Sequence, residues 1–284
     1  MSRHTIGVNL SERGASAVLV DADGTAVKRA AASGAGALAR VLRETAPAGV
    51  RTVGVATDGI SRGELDEALG GAAGHVCSPG AAAVTAEAWV GGARGARDAV
   101  CLWIGDRVFA GVMLGGSPWL GAHGLAGSAA WLALNPVERQ DYRKFGSLAA
   151  EVSNTGIARR LSWRIQSGDR SAVLEQAGDL AAITAAHVFD GARNGDGVAI
   201  SVVRETAKYV GMALANLASA VDPEVVVLAG DLALAGDLLL DPVANECARR
   251  LPPAILPHFR LEFSPLGLDG VGIGAARLAA LASA

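Results

Sequence analysis

The chain has 284 residues and a formal net charge of −3; 51% of it is hydrophobic and 19% charged. That balance excludes a disordered chain, and without a Lys or Arg run there is no footprint for nucleic acid or an anionic membrane surface. Aromatics are only 4% and glycines number 37, so the core must come from Ala, Val and Leu, as suits an α/β protein with closely packed helices.

Thr5 to Val8 is a short apolar strand, followed by a polar loop, Asn9 to Gly14. Ala17 to Val20 is the next strand, and Asp21-Ala-Asp-Gly24 is a hairpin turn with Gly at its end. Leu38, Val41 and Leu42 fall at helical spacing in Ala37 to Thr45. Val50 to Ala56 is a buried strand, and Leu65, Ala68 and Leu69 mark a short helix. Val76 opens the central stretch. A small-residue helix runs from Ala81 to Trp89, then a strand from Ala99 to Ile104. A turn at Gly105-Asp106-Arg107, a strand from Val108 to Leu114 and a Gly-rich passage, Gly121 to Trp131, follow. Asn135 to Lys144 is a polar connection. Helices are expected at Leu148 to Arg160, Ala172 to Ala177 and Asp179 to Arg193. The strongest helix is Val198 to Val221, with Val203, Ala207, Val210, Leu214 and Leu217 on one face and Asp222-Pro223 as its stop. Glu224 to Leu228 is a buried strand of the parallel type; a helical region around Leu238 to Ala248, a strand Arg260 to Phe263 and a Gly-rich final helix from Gly270 complete the chain.

The uncharged stretch Val108 to Val137 contains six Gly and two Pro, so it reads as strands and loops and not as a membrane span. The segment Met1-Ser-Arg-His-Thr-Ile has no apolar signal character. Cys77, Cys101 and Cys247 are odd in number and far apart, giving neither metal spacing nor a disulfide framework. A reducing cytoplasm is the expected compartment. The strand–turn–strand pattern of Thr5 to Gly24 recurs over Ala99 to Gly116, which implies a duplicated chain with two similar lobes and a cleft between them.

Several stretches carry a resemblance. They are Asp190-Gly-Ala-Arg-Asn-Gly-Asp-Gly-Val-Ala199 with the long helix, Val221-Asp-Pro and the strand Val225 to Leu228; Leu120 to Gly127; and Gly270 to Ala276. Together they resemble the ROK family (repressors, open reading frames, sugar kinases). The resemblance implies an α/β, two-lobed actin/hexokinase-like (ribonuclease H-like) duplicated fold with an interlobe cleft. The first lobe is expected at residues 1–115 plus 269–284. The second, with a helical dimerisation region, is expected at 116–268.

Family kinases need a base at the sugar hydroxyl, a phosphate cradle and polar sugar contacts. Against the family pattern each of these positions is altered. The first phosphate loop, Asp-Ile-Gly-Gly-Thr-Lys in the family, is Asn9-Leu-Ser11-Glu12-Arg13-Gly. The second, Gly-Thr-Gly, is Gly105-Asp106-Arg107. Carboxylates at Glu12 and Asp106 would repel phosphate. Counting back without a gap from Glu87 at the helix end, Cys77-Ser78-Pro79 covers the catalytic segment and Pro79 stands at the base. The sugar-binding Glu and His correspond to Ser128 and Trp131, a further Glu to Ala149, and the adenine-side turn to Ala229-Gly230-Asp231. The zinc loop is shortened to Asn135 to Phe145 and has no cysteine.

The resemblance therefore implies a homologue without a catalytic residue at the base position, one for which ATP, magnesium and zinc are not expected as cofactors. His123, in the Gly-rich passage, is expected to be structural. Arg13 and Arg107 either form a new anion site or, preferably, pair with Glu12 and Asp106. Cys77 is expected to be inert, and Trp119 and Trp131 to be packing residues, with Trp131 making the cleft more apolar. Three classes remain: a non-catalytic homodimer that regulates, scaffolds or holds a small molecule; an enzyme with a repurposed cleft, or an atypical sugar kinase; and a repressor. The last is disfavoured because the chain begins almost at its first strand. No nucleic-acid or membrane partner is expected.

Overall fold

The computed structural model describes residues 4–46, 52–59, 62–69 and 73–283. The first strands are β1 (Thr5–Ser11), β2 (Gly14–Val20) and β3 (Ala26–Ser33), followed by α1 (Ala37–Thr45) and β4 (Thr52–Ala56). Then come α2 (Arg62–Leu69), β5 (Ala73–Cys77), α3 (Pro79–Val90), β6 (Ala99–Ile104), β7 (Val108–Leu114) and the two-residue β8 (Ser117–Pro118). Helices dominate the next part: α4 (Gln140–Phe145), α5 (Ser147–Val152), α6 (Asn154–Gln166), α7 (Ala172–Ala177), α8 (Ala185–Arg193) and α9 (Gly197–Val221). The chain closes with β9 (Val225–Ala229), α10 (Gly236–Ala248), β10 (Leu261–Phe263) and α11 (Gly270–Ala282).

The duplication is visible in the strand orders. The first sheet runs β3-β2-β1-β4-β5 and the second β8-β7-β6-β9-β10. Each is a meander continued by two later strands. β1 is antiparallel to β2 and parallel to β4, and β4 is parallel to β5; in the second sheet β9 and β10 are parallel.

The chain divides into two compact units, both discontinuous: Met1–Cys101 with Ala110–Gly127 and Ser264–Ala284, and Leu102–Phe109 with Ser128–Phe263. In the first unit the alternation of strand side chains feeds two cores. Ala17 and Leu19 of β2 join Ile6, Val8, Val53 and Val55 beneath Leu38, Val41 and Leu42 of α1 and Leu65 of α2. Val18 and Val20 point the other way, to Ala86 of α3 and Ile273 and Ala276 of α11. In the second unit α9 packs on α10, α8, α6 and α5, and Val225 to Ala229 are buried throughout.

Local chemistry explains where elements differ from the sequence reading. β1 extends through Ser11, so the expected loop Asn9 to Gly14 is only a two-residue turn, Glu12-Arg13, with Ser11 and Gly14 paired across it. β3 and β5, absent from that reading, carry weak β signals: Ala and charged residues in one, Gly and His in the other. The single helix expected at Leu148 to Arg160 breaks at Ser153, which takes an extended conformation and caps α6 by accepting from the Gly156 N–H at 3.1 Å. Asp179 to Arg193 divides into a 3₁₀ turn and α8, which starts at a capping box between Thr184 and His187. α9 ends as expected, with Asp222 in the left-handed region at φ 51°. Val50 and Arg51, at the head of the strand expected from Val50, lie outside the described residues.

The close approach of α11 sets the first unit. A Cβ on Gly274 would lie 1.7 Å from the Ala82 carbonyl oxygen of α3. Replacing Gly274 with Ala should destabilise the protein by about 3 kcal/mol, the upper range for overpacking. Gly197, where a Cβ would meet nothing within 4 Å, should accept Ala without loss. Urea unfolding of the two variants tests this; equal midpoints would show that α3 and α11 yield easily.

Candidate functional site

At the carboxyl ends of the parallel strands β1, β4 and β5 lie Asn9, Thr57 and Cys77. Asn9 stands opposite Ala56 in the β1–β4 register, and its Oδ1 is buried without a donor. Glu12 and Arg13 sit exposed at the hairpin tip, whose flanks are tied by the Ser11 hydroxyl donating to the Gly14 carbonyl at 3.2 Å. The Arg13 carbonyl accepts from the Gly34 N–H at 3.3 Å.

α3 begins with Ser78 as N-cap, its Oγ accepting from the Ala81 N–H at 3.2 Å, and with Pro79 at the first helical position. A proline suits that position because its missing N–H would be unpaired anyway. Pro79 is buried and Gly80 packs on Ala110, so the segment is a helix start with its one hydroxyl engaged in capping. Cys77 is partly buried, and burial pushes its thiol up to about 12, which disfavours the reactive thiolate. At the other end of α3, the Glu87 carboxylate accepts from the Gly92 N–H at 2.8 Å and from the Ser264 hydroxyl. Burial nevertheless raises its pKa.

In the second unit, the turn between β6 and β7 is closed by the Gly105 N–H donating to the Arg107 carbonyl at 3.0 Å. The Asn154 backbone N–H donates to the Gly105 carbonyl at 3.0 Å. Its side-chain Nδ2 donates to both Asp106 Oδ1 and Asp231 Oδ2, each at 3.2 Å. Asp231 follows Gly230, whose φ of 85° lets the chain leave β9 against the Ile104 backbone. The Asp231 carboxylate lies so close to Gly105 that a Cβ there would be 2.1 Å from Oδ2. Burial and then the charge of Asp106 raise the Asp231 pKa, while the Asn154 bond lowers it. Arg107 lies 5.3 Å over the Phe109 ring, which stacks on Trp103. Asn154 escaped the sequence reading; the polar run Ser153-Asn154-Thr155-Gly156 inside an expected helix was its available signal.

The Gly-rich passage turns on positive-φ glycines, Gly121, Gly124 and Gly127, and leaves His123 exposed. Ser128 precedes a 3₁₀ turn, Ala129–Trp131. Trp119 and Trp131 are 53% and 58% exposed, so neither is the packing residue expected. Both stand on loops and short turns outside the sheets. Ala149 is buried in α5.

The shortened connection is tied down by charge. Glu151, buried in α5, accepts from the Tyr142 hydroxyl and from Arg139 Nη1 at 3.2 Å, and Arg160 Nε stands 3.8 Å from its other oxygen. Arg160, itself buried, reaches Glu205 at 3.3 Å and Thr206. Burial lowers the Arg160 pKa against the pull of Glu151. Burial and its bond to Glu151 raise that of Tyr142. Among the described residues no three of His, Cys, Asp and Glu gather as a metal-holding group.

The ROK family model matches residues 80–281. The chain belongs to the ROK family. It is 31% identical over 194 residues to a glucokinase of Halalkalibacterium halodurans, covering 68% of this chain and 59% of that one. It is 28% identical over 196 residues to a glucokinase of Thermotoga maritima, covering 69% and 62%. The matched part thus spans about three fifths of these relatives. It is also 24% identical over 163 residues to the DNA-binding transcriptional dual regulator NagC of Escherichia coli, covering 57% and 39%. Among solved structures, a ROK family glucokinase from Streptomyces griseus in complex with glucose and AMPPNP superposes with a TM-score of 0.84. That match covers 97% of this chain and 99% of that one at 24% identity, and gives the two-lobed α/β fold. A ROK relative is thus a sugar kinase in one case and a DNA-binding regulator in another, and membership alone does not separate the two. Among the described residues no helix is long and apolar enough to cross a membrane.

Replacing Asp231 with Asn should keep the acceptor for Asn154 and remove the repulsion by Asp106. A carboxyl whose folded pKa is raised costs stability above that pKa, and the cost vanishes as pH falls below the ordinary value of 3.8. D231N should therefore melt a few degrees higher at pH 7, with the gain shrinking on acidification. A lower midpoint at pH 7 would show that the charge is held by partners an amide cannot replace.

Proposed function

We propose that this ROK protein has lost ATP-dependent sugar phosphorylation and acts without catalysis, as a regulatory, scaffolding or small-molecule-binding homodimer. The observation that carries the reading is the Asp106–Asn154–Asp231 cluster, which fills the β6–β7 turn with negative charge against Gly105. A nucleotide polyphosphate would meet two carboxylates where it needs backbone N–H donors. Pro79 supports it: a buried helix-starting proline has no atom to accept a hydroxyl proton, and loss of a general base costs about 10²–10⁴ in rate.

A second reading, an atypical sugar kinase or an enzyme on a less polar substrate, is favoured by the identity to glucokinases and by the exposed Trp131. Calorimetry with Mg-ATP and a coupled assay over a sugar panel separate the two. No heat at micromolar ATP and no turnover are expected; micromolar binding with steady turnover of any sugar would establish the second reading. Pro79→Asp alone should restore nothing, because Asp106 and Asp231 remain.

The dimer draws support from apolar side chains exposed on the second unit, Trp131, Val137, Phe145 and Trp163. Light scattering at micromolar concentration should give twice the chain mass of 28.6 kDa, and a monomer would count against it.

A further inference from the structure

Glu87 lies in the last turn of α3 and is only 1% exposed. Each of its carboxylate oxygens has one neutral donor: the Gly92 N–H at 2.8 Å on Oε2, and the Ser264 hydroxyl on Oε1. Gly91 seals the group from one side, since a Cβ there would lie 2.1 Å from Oε2. Ser264 Oγ in turn accepts from the Leu266 N–H at 3.1 Å, so the same hydroxyl fixes the approach to α11.

Among the described residues no cation pairs with this carboxylate. Arg277 of the neighbouring α11 lies 4.6 Å over the Trp89 ring. Arg94 and Arg97, on the turn after α3, are exposed, and Arg97 donates to the Gly115 carbonyl at 3.1 Å. β6 contributes the buried Cys101 thiol, whose pKa is raised by burial and then by the charge of Glu87. A buried carboxylate held by neutral donors has lost water without gaining a counter-charge. Burial outweighs both hydrogen bonds and raises the Glu87 pKa.

We propose that Glu87 is a proton-binding site of the folded chain, where uptake of a proton strengthens the junction of α3, the turn after it and the entry to α11. The site takes the proton without being rebuilt. The protonated carboxyl keeps one oxygen for the Gly92 N–H and directs its O–H to Ser264 Oγ. A hydroxyl oxygen has two acceptor lone pairs, so Ser264 can hold both this proton and the Leu266 N–H. Ser264 is partly exposed, and its own O–H turns to water. Between the ordinary value of 4.5 and the raised folded value, the folded chain holds a proton that the unfolded chain has released. The stability this adds is fully present below the ordinary value and is lost as pH rises through the folded one. The inference goes beyond the proposed loss of kinase activity and does not depend on it.

The Glu87 ¹³Cδ signal of the full chain, assigned by its absence in Glu87→Gln, reads the proton directly. It should titrate above 4.5, and higher still in Ser264→Ala, which removes a donor that favours the carboxylate. Thermal midpoints give a second measure. Glu87→Gln should melt higher than the wild type at pH 7, with the difference shrinking as pH falls towards 4.5. Titration at or below 4.5 would overturn the proposal. So would a titration unmoved by Ser264→Ala, or a difference between Glu87→Gln and wild type that is the same at every pH.

Discussion

The contact on which the first unit depends is backbone against backbone. α11 lies so close to its neighbours that a Cβ on Gly7 of β1 would fall 1.8 Å from the Gly272 oxygen, and one on Gly54 of β4 would fall 1.9 Å from that of Ala275. Gly274 meets α3 in the same way. Dispersion scales with contact number and falls steeply with distance, so surfaces stripped of side chains pack as densely as interdigitated ones. The chain thereby ties its last helix to its first strand without large apolar side chains. This accounts for a core of Ala, Val and Gly in a protein that is only 4% aromatic.

Electrostatics decide the character of the second unit. The β6–β7 turn is closed by its own backbone and bordered by two carboxylates. Asn154 holds both with one amide nitrogen, and it does so from the break between α5 and α6. Ser153 makes that break by capping α6. A local helix-capping preference thus places the amide that bridges the two carboxylates, and Asp231 retains a raised pKa because burial, and after it the charge of Asp106, outweigh that bond.

The shortened connection shows a second way of using charge. Where relatives are expected to have a metal-tied loop, this chain has Tyr142, Arg139, Glu151 and Arg160. The buried Glu151 carboxylate draws Tyr142 and Arg139 to one oxygen and Arg160 to the other.

The strand and helix periodicities were legible without coordinates. β6, β7 and α7 fall where alternation, turn glycines and helical spacing put them, and α9 within one residue, because each is a long or cleanly bounded pattern with its own stop signal. The repeated meander announced the duplication. Tertiary structure decided the rest. β3 and β5 are strands because neighbouring strands supply their hydrogen bonds, not because Ala, Lys, Gly or His favours extension. Trp119 and Trp131 are more than half exposed on loops and short turns, a placement that side-chain hydrophobicity does not report. Asn154 lies 48 residues from Asp106 and 77 from Asp231, and Glu151 lies 54 residues from Glu205, its partner through Arg160. Separations of that size carry no periodic signal, so only the folded chain determines which charges meet.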